Sequence, residues 1–262
     1  MLGLLRIGEN FHMDHYIDFQ HVSKAFGDRE VLKDVSFFVD PGETLAIMGR
    51  SGVGKSVALQ HIMGFLKPDA GRIWVAGEDI TDYPESELQR IRKKVTMVFQ
   101  SGALFDSLSI FENVAFPLRE QSDWGEDQIR EIVHGLLEML EISEFAEQFP
   151  AELSTGMKRA AAIARALAAR PEAVLFDEPT TMVDPLMSRH IAALIAKLKL
   201  QLKLTSVVVT HDTRLARQLG DRIMVLEGGH AIFFGTPAEL SASRDPFIHE
   251  FLAEDEFTPV AK

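Results

Sequence analysis

Short apolar runs alternate with polar turns along the first part of the chain. Runs rich in Val, Ile and Phe predict β-strands over residues 16–22 and 31–39. The apolar run 44–48 leads directly into a glycine-rich loop, and residues 57–66 have the pattern of a helix. Further β-type runs are residues 72–75 and 95–99. Residues 16–99 are therefore predicted to form mainly β-sheet, with one strand–loop–helix unit.

The pattern then becomes helical. Between residues 126 and 140, apolar side chains recur at the three- and four-residue spacing of one buried helix stripe. An alanine-rich helix is predicted over residues 155–169, with Ser154 as its N-cap and Pro171 marking its end. We therefore predict a mainly helical insert over residues from about 101 to about 170.

After the insert, predicted strands and helices alternate again along the chain. Predicted strands are residues 173–176, 205–210 and 222–226, with a helix over 185–202 and a hairpin turn at 228–229. Residues 236–239 have the capping-box form that starts a short helix. The acidic tail is either partly helical or loose. The alternation of strands and helices favours an α/β fold.

Composition narrows the function classes. The 262 residues are 46% hydrophobic and 25% charged, which is typical of a globular protein with a sizeable core. A net charge of −12 argues against a general nucleic-acid binder, and the lack of cysteine excludes a disulfide scaffold. No run reaches the ~18 apolar residues of a membrane span. We expect a cytoplasmic chain that can dock on a membrane protein.

The glycine-rich loop carries the most specific chemistry. It consists of Gly49, Arg50, Ser51, Gly52, Val53, Gly54, Lys55 and Ser56, followed by Val57, and fits G-x-x-x-x-G-K-[ST] between a predicted strand and helix. Backbone N–H groups of such a loop surround phosphates, while Lys55 reaches the β- and γ-phosphates and Ser56 ligates Mg²⁺. The alternative is a chance glycine-rich turn.

Two carboxylates close the predicted strand 173–176. A buried strand of a parallel sheet delivers its end to the edge where the phosphate loop lies. Asp177 is then a candidate Mg²⁺ ligand, and Glu178 a candidate general base that polarises the attacking water. A solvated strand end is the alternative interpretation, because Asp and Glu are common there.

Weaker candidates lie elsewhere. Ser154 and Gly156 begin a helix whose N–H groups could contact a γ-phosphate, although an ordinary N-cap explains them equally well. His211 and Gln100 each follow a predicted strand, and Gln100 could ligate Mg²⁺; both also fit exposed or structural strand ends. On composition alone, Phe26 is a core residue as readily as a ligand-stacking one.

In order and spacing, these motifs resemble the nucleotide-binding subunit of ABC (ATP-binding cassette) transporters. The resemblance covers residues from about 16 to about 240 and implies a P-loop NTPase core with an antiparallel β subdomain and an inserted helical subdomain. It divides the chain into an extension (1–15), the ATP-binding domain (16–245) and a tail (246–262).

The resemblance also implies residue roles, with ATP and Mg²⁺ bound. Phe26 stacks on adenine, residues 49–56 are the Walker A loop, Gln100 is the Q-loop glutamine, Ser154 and Gly156 belong to the signature motif, Asp177 and Glu178 form Walker B, Asp184 lies in the D-loop, and His211 senses the γ-phosphate. Two copies pair head to tail around two ATP molecules. Each signature motif then completes the Walker A site of the partner.

Residues 99–120, together with Met157, resemble one branch more closely, the ATPases of Mla-type, MCE-associated phospholipid transporters of Gram-negative bacteria. In that branch the partners are an integral membrane permease, a periplasmic MCE protein and often a small STAS-domain protein. Such a subunit lies on the cytoplasmic side of the inner membrane and does not bind nucleic acid.

Three residues depart from the general family pattern. Thr155 replaces the usual first signature glycine, which could weaken closure on the partner's nucleotide, and Met182 and Val183 are unusual in the D-loop. Three alternatives stay open: an importer of amino acids or other small solutes, a nucleic-acid-associated ABC ATPase, and an ATP-dependent interaction module without turnover. Because Glu178 and His211 are present, we predict hydrolysis.

Overall fold

Two β-sheets and a helical layer build the protein in the computed structural model, which describes residues 15–120 and 124–256. The predicted extension, residues 1–15, lies outside this part except for its last residue. The strands are β1 (Ile17–Phe26), β2 (Arg29–Val39), β3 (Thr44–Met48), β4 (Ala70–Val75), β5 (Glu78–Asp79), β6 (Val95–Val98), β7 (Ala173–Asp177), β8 (Thr205–Thr210), β9 (Arg222–Glu227) and β10 (His230–Gly235). The helices are α1 (Lys55–Ile62), α2 (Glu85–Lys94), α3 (Ile110–Glu120), α4 (Glu126–Met139), α5 (Thr155–Ala168), α6 (Pro185–Leu202), α7 (Thr213–Leu219), α8 (Pro237–Ser241) and α9 (Pro246–Glu256), with short 3₁₀ turns at Ser143–Phe145 and Pro150–Glu152.

The smaller sheet is antiparallel, with strand order β2-β1-β4-β5. Its inner face is apolar, and the rings of Phe19 and Phe37 stack across β1 and β2 with centroids 4.4 Å apart. Strand β1 continues past its predicted end at residue 22, because pairing with β2 extends to Phe26 opposite Arg29. The β1–β2 turn therefore carries Phe26 to the edge of the sheet.

The larger sheet has the order β10-β9-β3-β8-β7-β6 and is parallel except for β10, which runs antiparallel to β9. Strands β3 and β8 are buried along their whole length, which is typical of central strands covered on both faces. Since β3, β7 and β8 are parallel neighbours, their carboxyl ends meet at one edge. That edge carries the phosphate loop, Asp177 and His211.

Helices α3, α4 and α5 form a layer within the residues predicted as a helical insert, and their apolar core is continuous with α6, α7 and one face of the larger sheet. The sequence pattern missed α3, which contains Pro117 and begins with a capping box between Ser109 and Glu112. Helices α2 and α7 and strand β10 were also missed. These elements are short, so their periodicity is a weak signal.

Helix α9 begins at residue 246, where the predicted tail starts, and packs on the core. Ile248 and Phe251 are buried against β3 and β9, and Leu240 of α8 joins the same cluster. Over the described ranges, every helix is too short or too polar to span a bilayer.

Candidate nucleotide site

The phosphate loop is packed so tightly that two of its positions accept only glycine. A Cβ on Gly49 would lie 2.3 Å from the backbone oxygen of Leu226, and one on Gly54 would lie 2.9 Å from that of Val31. Gly54 also has φ +109° as it caps α1, a conformation that residues with side chains rarely adopt. The loop is thus pressed between β9 and β2, with the N-terminus of α1 beneath it, the arrangement that binds anions.

Lys55 spans this loop. Its ammonium group donates hydrogen bonds to the backbone oxygens of Gly49 (2.9 Å) and Arg50 (3.0 Å). It also lies 3.4 Å from Oε1 of Glu178, and the side chain is only 6% exposed. A buried, positionally restrained cation therefore faces the space above the loop.

Ser56 and Asp177 meet at the same edge. The Ser56 hydroxyl donates a 2.8 Å hydrogen bond to Oδ1 of Asp177, although the residues are 121 positions apart. Burial raises the pKa of Asp177 above its usual value, and the nearby charge of Glu178 acts in the same direction against the opposing hydrogen bond from Ser56. A positive ion beside this carboxylate would relieve that penalty.

These two oxygens fit Mg²⁺, which takes few protein ligands and completes its shell with phosphate oxygens and water. The part of the chain that the structure describes assembles no group of three His, Asp or Glu side chains that could hold a metal alone. Gln100 follows β6 and, together with Ser56, lines the cavity above the phosphate loop. The donor set therefore suits a metal bound together with a nucleotide.

Glu178 is held by several groups. Its carboxylate accepts hydrogen bonds from the Thr181 hydroxyl (2.9 Å) and from Nδ1 of His211 (2.8 Å), and its backbone has φ +48°. Burial would raise the pKa of Glu178, but the hydrogen bonds from His211 and Thr181 and the charge of Lys55 outweigh it, so the pKa lies below the usual value. The result is an ionised carboxylate in a strained, fixed position, which is common at functional sites.

A cavity of about 560 Å³ joins these groups, a volume typical of small-ligand sites. Its lining contains the predicted residues Phe26, Arg50, Ser51, Gly52, Gly54, Lys55, Ser56, Val57, Gln100, Glu178 and His211. Phe26 is 48% exposed at its rim, so it is not a core residue. Gly49, Val53 and Asp177 belong to the same loop and strand end but do not line the cavity.

Ser154, Gly156 and Asp184 lie away from this cavity. Ser154 caps α5, accepting from the Met157 N–H, while Asp184 caps α6. Gly156 faces α6 so closely that a Cβ there would lie 2.0 Å from Cγ of Met187. Within one chain, these residues therefore form no part of the site that Lys55 and Glu178 build.

Three lining residues were not predicted: Arg29, Val31 and Thr181. Arg29 donates a 2.9 Å hydrogen bond to the backbone oxygen of Gly52 and so ties the β1–β2 turn to the phosphate loop. Thr181 lies three residues after Glu178, a spacing that could have indicated a hydroxyl partner. Arg29 and Val31 have no comparable local signal, because strand pairing brings them to the loop.

Residues 32–181 match the family model described as ABC transporter. The chain is 40% identical over 244 residues to the intermembrane phospholipid transport system ATP-binding protein MlaF of Haemophilus influenzae, covering 93% of this chain and 92% of that one. It is 35% identical over 252 residues to the probable ribonucleotide transport ATP-binding protein mkl of Mycobacterium tuberculosis, covering 96% of this chain and 70% of the relative.

Solved structures share the fold. The dimeric post-hydrolysis state of the ATP-binding cassette MJ0796, bound to ADP and Pi, superposes with a TM-score of 0.77 at 34% identity, covering 84% of this chain and 98% of the cassette. The nucleotide in that structure shows the kind of ligand that this architecture holds.

Proposed function

Because this chain belongs to the ABC transporter family of ATP-hydrolysing cassettes, we propose that it powers a transporter that moves phospholipids between the membranes of a Gram-negative bacterium. The observation that supports this substrate is the 40% identity, over nearly the whole of both chains, to a subunit named for intermembrane phospholipid transport. ATP hydrolysis itself follows from the family. We also propose a role in hydrolysis for each residue of the site.

The phosphate loop binds and orients the triphosphate. Its N–H groups and the N-terminus of α1 face the phosphates, and Lys55 moves its hydrogen bonds from the loop carbonyls to the β- and γ-phosphate oxygens. Phe26 supplies an exposed ring for the adenine base. Ser56, Asp177 and Gln100 would hold Mg²⁺, which when bound neutralises charge developing between the β- and γ-phosphates.

Glu178 accepts the proton of the attacking water. Its ionised carboxylate is fixed by His211 and Thr181, so it needs little reorganisation before it acts. His211 both orients Glu178 and faces the position of the γ-phosphate. Correct placement of one general base is expected to contribute about 10²- to 10⁴-fold to the rate.

A second copy completes the site in this proposal. The solved cassette MJ0796, which shares this fold, is a dimer. Ser154 at the start of α5 and Asp184 at the start of α6 are exposed, whereas Gly156 in the first turn of α5 is buried against Met187, and all three lie outside their own chain's cavity. We place them against the nucleotide of a head-to-tail partner, where the N–H groups of α5 face the γ-phosphate.

The membrane permease attaches through the helical layer. Phe105 and Phe116 form an exposed aromatic pair, with ring centroids 4.9 Å apart and exposed fractions of 44% and 39%. Such a patch suits a membrane permease that anchors the chain on the cytoplasmic side of the inner membrane. An MCE-type lipid-binding protein and a STAS-domain protein complete the proposed assembly, which does not act on nucleic acid.

Reconstitution tests the substrate. We would purify the chain with its native membrane partners, identify bound small molecules by mass spectrometry, and measure ATP hydrolysis in lipid nanodiscs. Phospholipid bound to an MCE-type partner, with hydrolysis that depends on it, supports the proposal. Stimulation by a solute-binding protein and its solute, without bound lipid, overturns it.

The second candidate is transport of a small polar solute, such as a ribonucleotide. It is favoured by the 35% identity over 252 residues to the mycobacterial subunit named for that activity. The same nanodisc assay distinguishes the two, because ribonucleotide would then stimulate hydrolysis in the absence of the MCE-type partner.

A further inference from the structure

A buried arginine connects the signature helix to the centre of the site. Arg159 lies one turn into α5 and is 3% exposed. Its guanidinium donates a 2.8 Å hydrogen bond to the backbone oxygen of Phe99 and lies 3.5 Å from the backbone oxygen of Thr181. One side chain thus links α5 to two other segments of the chain.

Both carbonyls belong to segments that carry proposed catalytic groups. Phe99 directly precedes Gln100, and Thr181 donates its hydroxyl to Oε2 of Glu178 at 2.9 Å. Arg159 is also close enough to Asp177 for their charges to attract each other. A displacement of α5 would therefore shift the Mg²⁺ ligands and the general base.

Burying the charged guanidinium of Arg159 costs desolvation free energy. Burial lowers the pKa of the Arg159 guanidinium, and its Nε–H has no hydrogen-bond partner among the described residues. A methionine of similar length would fill the same space without that penalty, and replacement of buried charges by apolar side chains is often neutral or stabilising. Packing alone therefore does not explain an arginine here.

We propose that Arg159 is a positioning residue that holds the segments of Gln100 and Thr181 in register with α5. Through Thr181 it fixes Glu178, so the location of the signature helix and the location of the carboxylate are linked within one chain. This inference rests on the proposed role of Glu178 and extends it to a residue that does not touch the nucleotide.

Arg165 is a matched control on the same helix. It is also partly buried, and burial also lowers its pKa. Its guanidinium donates hydrogen bonds to the backbone oxygens of Ala103 (2.8 Å) and Gly102 (3.2 Å). These hydrogen bonds do not involve Thr181 or Glu178. Arg165→Met thus removes a similar cation and its contacts to the segment that follows Gln100, while it leaves the contact between Arg159 and Thr181 in place.

The experiment compares Arg159→Met, Arg159→Lys and Arg165→Met in the full chain, with kcat and KM for ATP, the Kd for ATP and the melting temperature as readouts. We expect Arg159→Met to lower kcat by about 100-fold while Kd changes by less than about threefold, because a small misplacement costs rate rather than binding. Arg159→Lys keeps one donor but loses the planar fork of the guanidinium, so its kcat should lie about three- to tenfold below that of wild type. Arg165→Met should keep kcat within about threefold.

Two results would overturn the inference: wild-type kcat in Arg159→Met, or equal losses of kcat in Arg159→Met and Arg165→Met. If Arg159→Met melts below the assay temperature, Arg159→Lys decides, and wild-type kcat in that variant overturns the inference. Glu178→Gln separates this from the proposed function. An inactive Glu178→Gln with a fully active Arg159→Met leaves the general base in place and removes only the role of Arg159.

Discussion

Replacing Glu178 by glutamine tests the central chemical step. Glutamine has the same shape, and its amide oxygen can still accept from Thr181 and His211. It cannot take a proton from water, and its NH₂ group is a donor where Lys55 already presents one at 3.4 Å. The perturbation is therefore chemical rather than steric.

The expected magnitude follows from the loss of one positioned general base. A reduction in kcat of about 10²- to 10⁴-fold corresponds to about 3–5.5 kcal/mol on the activation barrier. ATP binding should be equal or tighter, because the variant removes a negative charge from beside the phosphates. The ATP-bound dimer should then accumulate, since the step that ends this state is slow.

The assay measures phosphate release under single-turnover conditions, together with size-exclusion chromatography in ATP. Glu147→Gln is the control, because Glu147 is an exposed carboxylate on the helical layer. The control should hydrolyse ATP and elute as the wild type does. If Glu178→Gln keeps more than about a tenth of wild-type kcat, Glu178 is not the general base. Loss of ATP binding in this variant would refute the assignment as well.

Three further outcomes are expected. Ser56→Ala should raise the Mg²⁺ concentration needed for half-maximal hydrolysis by about 10-fold or more, with ATP binding in EDTA unchanged, because it removes a metal ligand; an unchanged Mg²⁺ titration contradicts that role. Hydrolysis per chain should fall on dilution below the dimer Kd, and a constant rate would show that one chain suffices. Burial lowers the pKa of His61 below the usual 6.5, and the charge of Lys24 acts in the same direction. Hydrogen bonds to Val57 and Lys67 and the charge of Asp69 oppose this shift but do not cancel it. The unfolded state then binds more protons, so the free energy of unfolding should fall as the pH drops through about 6.5, and this fall should be smaller in His61→Gln by denaturant titration.

The amino-acid sequence determined the local features of this protein. The strands 44–48 and 205–210 were recognisable as continuous apolar runs, and Ser154 and Thr236 as N-caps; the structure confirms these elements with the same bounds or nearly so. The phosphate loop was recognisable because its glycines, lysine and serine must be contiguous. Each of these signals lies within one turn or one strand, where local sterics and hydrogen bonding decide the conformation.

Only the tertiary structure decided which of these features meet. The order of β3, β8 and β7 brings Ser56 to Asp177 and His211 to Glu178, and the β1–β2 pairing leaves Phe26 exposed at the rim. The contacts of Arg159 have no sequence signal at all. Parallel strands pair across long connections, and their register depends on packing against covering helices, so local patterns cannot specify it. The sequence alone therefore supplied the chemical groups, while the fold placed them at bonding distance.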